Sequence, residues 1–316
     1  MDFTTKIPIE KSNNPISYDS KIIALGSCFA ENMAEKFSYF KFQNEVNPFG
    51  IIFNPVSIEN LVSRVINNQK FTEDDVFFHN DLWHCYEVHS ELSHPDKETF
   101  LTNLNLIIQQ SNNLITQSTH VIITYGTSWV YRNKSSQKIV ANCHKVPQSQ
   151  FDKEILSVEV IEKSIQNTMD LIKKINPNCA FIFTISPVRH VKDGFVENQR
   201  SKAHLITAMH EIINYQLSII NYFPSYELMM DELRDYRFYA EDMLHPSQTA
   251  IDYIWICFFE NYIEEENHAL MGEICSIQKA LLHRPFNPDS KEHQLFLLSV
   301  KEKIDKLQYQ FPYIRF

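Results

Sequence analysis

Three features of this sequence predict an α/β fold, a three-layer α/β/α arrangement around a mostly parallel sheet. Short runs that are apolar throughout recur at residues 21–25 (KIIAL), 120–125 (HVIITY) and 179–185 (CAFIFTI). Segments with helical spacing separate them. Each run stops at a turn-forming position: Gly26, Gly126 or Ser186-Pro187. Strands that are apolar on both sides need cover on both faces, and helices between parallel strands provide it.

The elements follow in order. After the first run, Phe29, Met33, Phe37 and Phe40 keep a period of three to four, so residues 28–40 form a helix. Residues 42–46 precede Asn47-Pro48-Phe49-Gly50 and read as a further strand. Residues 71–95 fit neither period and read as an insertion, a lid or a small added ribbon. Val158, Ile161, Ile165, Met169, Ile172 and Ile175 give a helix that ends at Asn176-Pro177. Leu205, Met209, Ile212, Ile213 and Leu217 give another, and residues 225–230 (SYELMM) read as a fourth strand closing at Asp231. Residues 264–282 and 291–308 are helical, with a break at Arg284-Pro285-Phe286-Asn287-Pro288. We therefore divide the chain into an α/β domain, 1–263, and a helical extension packed on it, 264–316.

Composition narrows the function classes. The 316 residues carry 29 Lys and Arg against 39 Asp and Glu, a net charge of −10. A general nucleic-acid binder needs a basic face to displace counterions, so no nucleic-acid partner is expected. No apolar run nears the roughly 20 residues that span a bilayer, and no membrane partner is expected. The N-terminal residues lack the apolar stretch of a signal peptide, which points to the cytoplasm. Six cysteines without a CxxC pair read as free thiols in a reducing compartment. Histidines 79, 84, 89 and 94 recur every five residues, a spacing that does not converge on a metal, and no metal or organic cofactor is expected.

In parallel sheets the ligand site lies beyond the carboxyl ends of the strands. Gly26-Ser27-Cys28 marks a sharp strand-to-helix turn there. The helix N-terminus favours thiolate, so Cys28 is expected to be more acidic than a free thiol and to sit where a nucleophile would. A small buried residue filling the corner is the other reading. Late in the chain Asp242 and His245 stand three apart, able to share one face of a turn. A carboxylate beside an imidazole fixes its tautomer and equips it as a general base. An N-capping turn with a solvated His245 is the plain alternative. Arg189 and His190 follow a strand end and read as substrate contacts or a surface ion pair. Residues 231–237 alternate charge with aromatics and read as an internally paired loop under the Asp242–His245 turn, or as a surface for a polar or sugar-like ligand.

A strand running into Gly26-Ser27-Cys28-Phe29-Ala30, joined to Asp242-Met243-Leu244-His245-Pro246, resembles the GSCFA-domain family. Asn47-Pro48-Phe49-Gly50, Gly126-Thr127-Ser128-Trp129, Asn142-Cys143-His144-Lys145 and Ser186-Pro187-Val188-Arg189-His190 also look like that family, over roughly residues 20–260. The family is grouped with the SGNH (GDSL-like) hydrolases. The resemblance implies that Cys28 replaces the nucleophilic serine, with Ser27 as the alternative nucleophile. It implies that Gly50 donates its N–H to the oxyanion hole and that Ser128 stands where an asparagine amide would donate. Asp242 and His245 match the last block, and Asn142 and His144 join Arg189 and His190 as substrate-binding candidates. The expected function is cleavage of an ester, an acyl or acetyl ester of a small molecule or carbohydrate, or acyl transfer. The alternative is an inactive ligand-binding or scaffold protein that keeps the fold.

Overall fold

The computed structural model describes residues 4–215 and 220–316. The chain begins its sheet with β1 (Lys21–Gly26), α1 (Cys28–Tyr39) and β2 (Gln43–Val46), followed by α2 (Pro55–Ile66). A ribbon of β3 (Phe77–His79) and β4 (Leu82–His84) lies within residues 71–95, ahead of α3 (Lys97–Gln117) and β5 (His120–Tyr125). Next come β6 (Trp129–Asn133), β7 (Ile139–Val140) and β8 (Phe151–Ile155), then α4 (Val158–Ile175) and β9 (Ala180–Ile185). The chain continues through α5 (Phe195–Tyr215), β10 (Ile220–Phe223), α6 (Ser225–Glu227) and α7 (Gln248–Tyr262). It ends in α8 (His268–Leu281) and α9 (Lys291–Gln310).

The main sheet has the order β10-β9-β5-β1-β2, and every pairing in it is parallel. The chain starts inside the sheet, steps out to the edge at β2, then turns back past β1 to β5. That reversal is a topological switch point, and it opens a crevice between the carboxyl ends of β1 and β5.

Alternation along the strands explains the two apolar layers. Ile23, Val121, Ile123, Phe181 and Phe183 face α2, α3, α4 and α5, while Ile22, Ala24, Ile122 and Ile182 face α1 and α7. All six residues of β5 and all six of β9 are buried. Each large side chain so buried contributes about 1.5–3 kcal/mol relative to exposure. α8 and α9 join the second layer through Ile274, Ile277, Val300 and Leu307. The N-terminal arm closes over the same side, where Ile16 bridges Ile263.

Two expectations are corrected. Residues 225–230 are not a strand: the strand is the shorter Ile220–Phe223, and the chain then winds through α6 into a π-helical turn, Leu228–Glu232. Leu228 and Met229 are apolar because this turn is buried, which mimics a strand in the sequence. Residues 129–155 also hold a three-stranded antiparallel sheet, β7-β6-β8, that periodicity did not show. Leu217 of the expected helix lies outside the described residues.

Candidate active site at the switch point

Gly26 ends β1 with φ +135, and a Cβ there would stand 2.1 Å from the Thr124 carbonyl oxygen. Only glycine permits that approach, which lets the Ser27 N–H donate to Thr124 O at 3.0 Å. The Asn47 side chain locks the same corner by accepting from the Gly26 N–H at 2.8 Å. Asn47 itself adopts a left-handed φ of 43, which asparagine tolerates better than most residues.

Ser27 is the N-cap of α1. It is 1% exposed, and its hydroxyl accepts from the Phe29 N–H at 3.3 Å. Cys28 opens the helix and is half-buried. The expected acidity is corrected: burial pushes the Cys28 thiol up, and nearby Glu31 adds to that. Its own N–H, the Phe29 N–H and the charge of Lys202 pull the other way without prevailing.

Late in the chain, Asp242 and His245 form a hydrogen-bonded turn. Asp242 Oδ1 accepts from the Leu244 and His245 N–H groups at 2.9 and 3.0 Å, and Oδ2 pairs with His245 Nδ1 at 2.5 Å. The two N–H bonds, then the imidazole, hold the Asp242 carboxyl down to about 2. It is an anion at any ordinary pH, and it engages the Nδ1 side of the His245 ring. The Ala240 N–H donates to His245 O, and the Ser247 N–H to Phe238 O, so residues before and after clamp the turn.

Arg189 holds that turn rather than reaching outward. Its N–H donates to Leu244 O at 3.3 Å, its guanidinium donates to Met243 O, and it stacks 4.3 Å from the Tyr239 ring. His190 packs inward against Phe53, and its Nε2 would lie 3.1 Å from a Cβ on Gly126. That Nε2 is buried and has no hydrogen-bond partner among the described residues. Burial first, then the charges of Lys202 and His245, lower the His190 imidazole to about 3.

Lys202, on α5, is the residue that sequence reasoning missed. It is 1% exposed, and its ammonium donates to Gly126 O and Ser186 O, both at 2.7 Å. Those carbonyls directly follow β5 and β9, so the cation sits under the crevice floor. Burial lowers it to about 7, while Cys28 and Glu227 act to raise it. A signal existed. Extending the helical period backward from Leu205 puts Asn198, Ser201 and Lys202 on the inward face, and all three are buried.

Other expected residues are committed elsewhere. The Gly50 N–H donates to Asn47 O at 2.7 Å, closing a turn, and is not a free oxyanion donor. Ser128 is fully buried, and its hydroxyl donates to Ser201 O at 3.2 Å. Asn142 Oδ1 accepts from the His144 N–H, and His144 Nε2 lies 2.7 Å from Cys85 O in a separate cluster beside the β3–β4 ribbon. Among the described residues, no three His, Cys, Asp or Glu side chains gather as a metal site would require.

Two family comparisons match the chain. The GSCFA family matches residues 21–258, and the GSCFA domain protein, C-terminal domain, matches residues 274–316. No curated protein matches it. Among the described residues, no helix is long and apolar enough to cross a membrane.

Proposed function

The chain belongs to the GSCFA family, and on that premise we propose that it is an SGNH-type (GDSL-like) hydrolase using Cys28 to cleave a small-molecule or carbohydrate ester. The observation that carries the reading is the Asp242–His245 pair, held with His245 Nε2 open and tied by Arg189 to the strand ends where Cys28 starts α1. Free thiols suit a reducing compartment, in keeping with a cytoplasmic enzyme.

In this mechanism His245 Nε2 takes the Cys28 proton as sulfur attacks the acyl carbon. Asp242 holds the other ring nitrogen protonated and steadies the imidazolium. The oxyanion forms near the N-terminus of α1, where the Cys28 N–H is a donor. On collapse the C–O bond breaks, and His245 returns its proton to the leaving alcohol. Water then attacks the S-acyl thioester, giving a proton to His245, and the thiolate leaves and is reprotonated. A second alcohol in place of water makes the reaction acyl transfer. Ser27 is a poorer nucleophile in this arrangement because it caps the helix from a fully buried position.

A second reading is an inactive binding or scaffold protein, favoured by the raised Cys28 thiol and the engaged Gly50 and Ser128 donors. Hydrolysis of p-nitrophenyl acetate by wild type, Cys28→Ala, His245→Ala and Ser27→Ala separates them. Loss of at least about 10³-fold in the first two variants, with Ser27→Ala active, supports the thiol mechanism. Loss confined to Ser27→Ala would move the nucleophile, and equal rates in all four would sink catalysis at this site.

A further inference from the structure

The first half of α9 stands clear of the rest of the chain: every residue from 291 to 299 except His293 is exposed. Yet Leu295, Phe296, Leu297 and Leu298 put four apolar residues in a row there. The helix is anchored by its other face, further along. Val300 and Leu307 are buried in the second apolar layer, and Ile304 packs against it. By helical phase Leu295 and Leu298 point away from that layer, and they are 67% and 57% exposed. The end of α8 lies alongside, where the His283 ring meets the Phe296 ring at 5.7 Å and Leu282 is 76% exposed. Exposed leucines scattered singly need no explanation. A cluster of this kind comes to several hundred Å² of apolar surface, at the upper end of the about 300–600 Å² that a monomer carries. With its polar rim it approaches the roughly 800 Å² per partner of a standard interface.

The charges around the cluster indicate what covers it. Along the outward face the helix presents Lys291, Leu295, Leu298 and Glu302, at spacings of four, three and four. The spacing is the same read from either end, while the two ends carry opposite charge. Two copies of the helix, crossed antiparallel about a twofold axis between Phe296 and Leu297, set Leu295 against the partner's Leu298. The same register sets Lys291 against the partner's Glu302, and symmetry makes each contact twice. A parallel pairing would oppose lysine to lysine and glutamate to glutamate. We propose that this protein forms a homodimer in solution through the outward face of α9, with the end of α8 at its margin. An anionic lipid surface suits the face less well, because the chain carries a net charge of −10. The pairing uses no residue of the Asp242–His245 turn or of Cys28, so the dimer and the hydrolase stand or fall separately.

Analytical ultracentrifugation of the full chain, from about 1 to about 100 μM, tests this. Wild type should sediment as a dimer at the upper end of that range. Leu298→Glu should weaken the dimer by about 100-fold or more, because symmetry brings two glutamates into the apolar centre. Its melting temperature as a monomer should hardly change, since the position is exposed. Lys291→Glu and Glu302→Lys should each weaken the dimer roughly tenfold by opposing like charges, and the double variant should return to within about threefold of wild type. A wild-type chain that stays monomeric at the highest concentration overturns the proposal. So does a dimer indifferent to Leu298→Glu, or a double variant no tighter than the single ones. A monomer that cosediments with phosphatidylglycerol vesicles would assign the face to lipid and overturn the dimer as well.

Discussion

Two regions of this protein draw on cysteine and histidine, and they differ in what their polar atoms have left to do. Beside the β3–β4 ribbon, His144 Nε2 meets Cys85 O at 2.7 Å and Nδ1 meets Ser90 Oγ at 3.3 Å. Its neighbour His84 meets His79 O at 3.0 Å and Ser93 Oγ at 2.6 Å. Burial pushes the Cys85 thiol up to about 12 and the Cys143 thiol up to about 11. Both ring nitrogens of His84 and of His144 are engaged, and burial disfavours the thiolate of both cysteines. At the switch point, among the described residues, His190 Nε2 is buried without a partner, and His245 is held to Asp242 through Nδ1. The residue types are the same. What separates structure from chemistry is the valence left unfilled, because native proteins rarely bury unsatisfied groups without a use for them.

Substitutions in each region can break that contrast. After the nucleophile and base variants above, the largest effect is expected for Asp242→Asn, which leaves the fold in place but frees the imidazole to take the wrong tautomer. Hydrolysis should fall by about 10²-fold or more, read as kcat on an activated ester, with melting temperature nearly unchanged. A rate within twofold of wild type would show that the exposed pair is only a turn.

The saturated cluster should instead answer in stability. The His144 imidazole is lowered to about 4, chiefly by burial. Above pH 6.5 the folded and unfolded chains are both neutral at this position and its contribution is complete. Below that pH the unfolded chain binds a proton that the folded chain refuses, so stability drains away down to about pH 4. That amounts to about 3 kcal/mol. Urea titrations of wild type and His144→Gln should converge as pH falls through this window, and parallel curves would contradict the burial. Turnover per folded molecule should be untouched.

The smallest effect is expected for Ser27→Ala. Losing the cap should cost about 1 kcal/mol in denaturant unfolding, with esterase activity retained. A loss of activity far beyond the loss of folded protein would make Ser27 more than a cap.

How much of this was legible depends on where each residue's partners lie. β1, β5 and β9 were readable because burial on both faces makes them apolar throughout. β10 was misplaced because it is a short strand and the buried π-helical turn after it carries the more apolar letters. The β7-β6-β8 sheet escaped because its strands are short and half polar, as in Phe151–Ile155, where two central residues are exposed. The candidate site was readable where its residues sit in short motifs, at Cys28 and at Asp242 with His245. It was not readable where roles are fixed by distant partners. Nothing local tells that Ser128 meets Ser201, or that Arg189 holds the Met243 and Leu244 carbonyls. Lys202 lay between: its inward phase was visible, its carbonyl partners were not.

The chain begins its sheet in the interior, at β1, and returns to that point only with the turn before α7. A ribosome therefore releases the thiol of Cys28 long before it makes the histidine that would activate it. During synthesis Cys28 is an ordinary cysteine on a growing chain. On the proposed mechanism its reactivity would date from the docking of that late turn, so the rate at which Cys28 is labelled would serve as a clock for completion of the fold.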